Sequence, residues 1–242
     1  MHPNRHSVIS LYDLNIFAPF DRAAVDLAMS VLDSLDWRRI REHYDVRVHT
    51  HQRLLELHKA KNTSAFVELL LGISDPSGNY SSAEHGIGPR ILAENTNVEQ
   101  RLLAVVEQFL ALTNAHEVPP IIHKARIKYF QIGVGSEASC MVNPYFCWVA
   151  NVRTIWTHLV HKHDDSFVKA DQELELYRES DVASEMAYQM WRALHAELAG
   201  TITRISEQGA KLSKSAGITP GEIRYLWADA IASELYERHH ES

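Results

Sequence analysis

The chain has 242 residues, is 45% hydrophobic and 23% charged, and carries a formal net charge of −7. This balance excludes disorder of the whole chain, leaves enough apolar residues for a sizeable core, and argues against a general nucleic-acid binder. Two cysteines, Cys140 and Cys147, exclude a disulfide framework.

Ten glycines and eight prolines at this length favour long regular elements. Asp21 is placed to N-cap a helix with apolar positions at Val25, Met29, Leu32 and Leu35, running through Trp37 to about Tyr44. A second helix is predicted from about Val46 to Lys61 and a short third from about Ala65 to Leu71. Residues 72–95 are rich in turn-forming types and hold four of the glycines, which predicts a long mobile Gly/Ser loop or an interdomain linker. Thr96 with Glu99 reads as a capping box ahead of Leu102, Val105, Val106, Phe109 and Leu112.

Pro119 and Pro120 end that region, and Ile121 to Val134 alternates loosely enough to be a strand or a helix. Asn143 followed by Pro144 predicts a helix start, with the helix running to about His163. Further helices are expected over about Ser166 to Tyr177 and over about Val182 to Leu212. The second of these has Met186, Met190, Leu194, Leu198, Ile202 and Ile205 along one stripe. The last opens at Thr219, Pro220 and Glu222 and buries Ile223, Leu226, Trp227, Ile231 and Leu235. The sum is a mainly α fold of seven or eight helices in orthogonal or bundle-like packing. It is read as one helical domain over 1–242, with one short β element near 121–134. Long amphipathic helices rich in large aromatics predict a homo-oligomer. No apolar run reaches membrane-span length and no signal peptide is read, so the expectation is a cytoplasmic chain with reduced core cysteines and no membrane partner.

The densest chemistry lies between Asn151 and Asp165, where Arg153 precedes His158, His161 and His163. Arginine stabilises phosphate charge, and imidazole exchanges protons near neutral pH. The Arg-x4-His spacing of Arg153 and His158 in an all-helical chain resembles the motif of HEPN-type ribonucleases. That resemblance implies metal-independent cleavage, with His158 as general acid or base at the ribose 2′-hydroxyl and Arg153 on the phosphate, two copies meeting at a dimer interface. Five residues on an ideal helix turn the side-chain direction by about 140°, so the two converge only at a distorted turn or across a dimer. From Val118 to His163 the only acid is Glu137, and Trp37 to Lys61 carries seven Lys/Arg with four histidines. Lys124, Arg126 and Lys128 are therefore candidate contacts to RNA or a nucleotide. Gly133, Gly135 and Ser136 are candidates for a tight turn whose amides bind an anion.

Two other readings stand beside this one. His158, His161 and Asp165 are spaced for one helix face and would hold a divalent metal, whereas the ribonuclease reading needs no cofactor. Glu237 and His240 form a Glu-x-x-His pair, half of a di-iron pattern whose second half is missing. The other alternative is a non-enzymatic helical module that binds a protein partner through a charged face.

Overall fold

The computed structural model describes residues 30–75, 80–178 and 184–240. The expected helix from Asp21 begins outside them. Among the described residues there are eleven α-helices and no strand, and ten of those helices have eight residues or more. The mainly α class is as predicted, and the count exceeds the predicted seven or eight.

A 3₁₀ turn at Ser30–Ser34 leads into α1 (Trp37–Lys59). Asp36 caps α1, its carboxylate accepting from the backbone N–H groups of Arg38 and Arg39 at 3.0 and 3.1 Å. One continuous helix replaces the two predicted, because no residue between Tyr44 and Val46 breaks it. α2 (Thr63–Leu70) follows. Residues 76–79 of the predicted 72–95 loop lie outside the described residues, and the described part of it forms α3 (Ser81–Glu84) and α4 (Ile87–Glu94). Tyr80 and Ser82 are buried, and the Ser82 hydroxyl donates to Leu71 O at 2.9 Å, which ties the segment to the end of α2.

α5 (Val98–Leu110) starts after Asn97, which is left-handed at φ 51° and makes no side-chain cap, so the Thr96/Glu99 capping box does not form. The β element expected near 121–134 is absent. α6 (Val118–Ala125) and α7 (Ile132–Val142) occupy that stretch, joined through Arg126 in the left-handed region. Pro119 and Pro120 start α6 rather than ending an element, since the first turn of a helix needs no N–H there. α8 (Val152–Lys162) begins eight residues later than an Asn143 cap implied. The Asn143 amide instead donates to Phe109 O and Leu112 O, at the C-terminal end of α5. Asn151 and Thr154 supply the actual capping box.

α9 (Phe167–Arg178), α10 (Glu185–Ser215) and α11 (Arg224–His240) complete the chain. The α10 stripe is buried from Leu194 through Ile205, while Met186 at its start is 82% exposed. α11 does not use the predicted Thr219/Glu222 cap. The Tyr44 hydroxyl accepts from the backbone N–H groups of Glu222 and Ile223 at 3.0 and 3.1 Å. Gly221 leaves no room for a Cβ against that ring. α11 packs on α1, α8 and α10, and α8 packs on α9. The largest side chains wholly inside are Trp156 on α8 and Trp227 on α11. No described helix is long and apolar enough to cross a membrane.

Candidate functional site

α8 is buried along almost its whole length, and its two nominated catalytic side chains face different neighbours. The Arg153 guanidinium lies 3.4 Å from Glu237 on α11, a carboxylate that also takes Arg39 of α1 at 2.8 Å. His158 points to α10, where its Nδ1 is hydrogen-bonded to Thr201 Oγ1 at 2.8 Å and its Nε2 stands 3.7 Å from Glu197. Both residues are only 7% exposed. The helix is regular across the pair, so the turn of about 140° is not compensated and the two side chains meet different helices, α11 and α10.

The nominated metal ligands are also dispersed. His161 Nε2 meets the Arg204 guanidinium, a cation that disfavours a metal at the same nitrogen. Burial together with that charge lowers the His161 pKa. Asp165, left-handed at φ 63°, turns away from α8 and accepts from Ser30 N and Oγ at 2.9 Å each. The nominated anion turn is instead the first turns of α7. Gly135 N donates to Gln131 O at 2.7 Å, and the Ser136 hydroxyl accepts from Ala150 N at 2.8 Å while donating to Gly133 O. Ser136 is fully buried, so its hydroxyl fastens the 147–150 connection to α7. Of the basic candidates, Lys124 and Arg126 are exposed, and Lys128 is paired with Glu94. Burial raises the thiol pKa of both cysteines, Cys147 to about 12, which suits inert core residues.

Sequence reasoning missed a buried ion cluster. Arg47 of α1 is 1% exposed, and its Nη2 lies 2.9 Å from both Glu137 of α7 and Asp229 of α11. Its guanidinium also sits over the Tyr80 ring at 5.1 Å. Burial opposes the charge, but Asp229 and Glu137 outweigh it and raise the Arg47 pKa. His43, one turn earlier on α1, is pushed down to about 4 by burial and by the Arg47 charge. The available signal was a lone acid inside each of two apolar runs, Glu137 in 132–142 and Asp229 in 226–232.

On the opposite side of α1 a cleft of about 780 Å³ opens toward solvent. Val46, Leu57, Ala65 and Leu69 form its apolar wall, and Asp45, His49, Arg53, Asn62, Ser74 and Asp75 surround it with polar groups. Leu57 and Leu69 are buried, whereas His49 and Arg53 are exposed. Asp45 is already held by Arg41 through two contacts of 2.8 and 3.0 Å. Among the described residues Arg53 pairs with Glu56 alone, at 3.0 Å and one turn on, and both side chains are more than half exposed. Such a surface pair is weak, so the Arg53 guanidinium can be recruited by another anion. A second hollow of about 300 Å³, lined by His58, Lys61, Phe66 and Glu107, shares Leu57 and Asn62 with the first.

A third group lies where α9 and α11 meet over α8. Asp171, His239 and His240 bring one ligand atom each to within 4.8 Å of one another. It is the sole cluster of this kind among the described residues. Comparison with protein-family models, curated proteins and solved structures finds no match for the chain.

Proposed function

We propose that the protein is a ligand-binding module whose working site is the α1–α2 cleft, and that its ligand is a small amphipathic organic anion. The observation that carries this reading is the cleft itself. Its volume of about 780 Å³ falls in the range of sites that enclose small molecules, and it joins an apolar wall to a few convergent polar groups. Arg53, held by a solvent-exposed pair with Glu56, supplies the cation for a carboxylate, sulfonate or phosphate. His49 on the same face of α1 supplies a second donor. The reading differs from the protein-binding module expected from the charged faces, because the cleft fits a small molecule rather than a protein surface. RNA cleavage by Arg153 and His158 is the weaker reading, because each of those side chains is buried against a different helix.

The test is binding of the aryl sulfonate ANS, an apolar ring system carrying one negative charge, followed by fluorescence titration. The wild-type protein binds it saturably at one site. Ala65→Trp fills the cleft and abolishes that binding with unfolding unchanged. Arg53→Gln keeps the volume and weakens binding about tenfold or more, the loss of one charge-assisted contact. Equal binding by the wild-type and Ala65→Trp proteins refutes the assignment.

A further inference from the structure

We propose that Asp171, His239 and His240 form a divalent transition-metal site. The proposal does not depend on the cleft, which lies on other elements. Two imidazoles and one carboxylate are the ligand types of zinc and related ions, and here they come from two helices, with Asp171 and His239 68 residues apart in the chain. In a tetrahedral zinc site, bonds of about 2.0–2.2 Å place ligand atoms roughly 3.4 Å apart. His239 Nε2 and Asp171 Oδ2 already stand 3.1 Å apart. The His240 atom lies within 4.8 Å of both, and its side chain is exposed at the last residue of α11.

A second observation points the same way: each ligand is oriented by an aromatic neighbour. The indole N–H of Trp156, a fully buried residue, donates to Asp171 Oδ1 at 2.7 Å, and this turns Oδ2 toward the imidazoles. The His239 ring stacks on the same indole, with centroids 5.0 Å apart and planes 23° apart. The His240 ring packs on Tyr236 at 4.1 Å. Supporting groups that fix a carboxylate and a ring plane are the usual outer layer of a metal site. Three protein ligands leave a coordination position for water, which is the pattern of open sites rather than closed structural ones.

Cobalt(II) titration of the whole chain, followed by visible absorption, tests this. One equivalent of Co²⁺ gives saturable d–d bands that Zn²⁺ abolishes. Asp171→Asn and His240→Ala each weaken binding at least tenfold. Trp156→Phe keeps all three ligands and weakens binding about 10–100-fold through loss of the supporting hydrogen bond. His240 is exposed, so His240→Ala unfolds at the wild-type temperature and its result stands even where Trp156→Phe fails to fold. Absence of saturable bands, or equal Co²⁺ affinity in the wild-type and His240→Ala proteins, overturns the proposal.

Discussion

His195 makes acid stability a direct test of the packing between α10 and the 147–150 connection. Its side chain is 0% exposed, and both ring nitrogens are buried without a hydrogen-bond partner among the described residues. The ring stacks on Trp148 at 5.0 Å, and the Trp148 indole donates to the His195 carbonyl at 3.0 Å. Burial, reinforced by His116, pushes the imidazole down to about 3. The fold therefore holds it neutral, while the unfolded chain protonates it near its ordinary value of about 6.5. The unfolded state binds more protons between those values. The contribution to stability is complete above about pH 6.5 and is lost as pH falls toward 3. At about pH 5 the loss is roughly 1.5 pH units times about 1.4 kcal/mol, or about 2 kcal/mol. Urea unfolding at about pH 7 and about pH 5 measures it. His195→Phe keeps the stack on Trp148 and cannot titrate, so the wild-type protein loses about 2 kcal/mol more than the variant between the two pH values. His43 titrates in both proteins and cancels in the difference. Equal losses in the two proteins refute the argument.

Arg47→Met strands Glu137 and Asp229 in the core without their cation, and a loss of about 3–5 kcal/mol is expected in the urea midpoint. Replacing all three together, with Glu137→Gln and Asp229→Asn, recovers part of that loss because no net charge is left buried. His158→Ala leaves the Thr201 hydroxyl without its partner and costs about 1–2 kcal/mol, read by the same assay. Hydrolysis of unstructured RNA in excess chelator is expected to be the same in the wild-type and His158→Ala proteins. Cleavage by the wild-type protein alone would restore Arg153 and His158 as a catalytic pair.

Helix content and core faces were legible in the sequence, because the periodicity of residues such as Leu194, Leu198, Ile202 and Ile205 is a local property. Boundaries were less legible wherever a distant group supplied the cap. The start of α11 depends on the Tyr44 hydroxyl, almost 180 residues away, and Asn143 serves the end of α5 instead of opening a helix. The stretch at 72–95 read as a loop because its glycines and serines are turn formers. Burial of Tyr80 and the Ser82 bond to Leu71 override that preference. The cleft was invisible because its lining residues, from Asp45 to Asp75, belong to two helices and the segment after them. Their mutual angle is written in no single stretch of sequence.

Sequence by itself determined that this chain builds helices, which faces of them are apolar, and that its histidines and basic residues concentrate in two segments. It did so because helix formation answers to neighbours three and four residues away. Tertiary structure alone decided which polar side chains meet. It separated Arg153 from His158, gathered Arg47, Glu137 and Asp229 from three helices, and brought Asp171 to His239 and His240. Those encounters depend on how rigid helices cross, and the crossing is fixed by packing across the whole core.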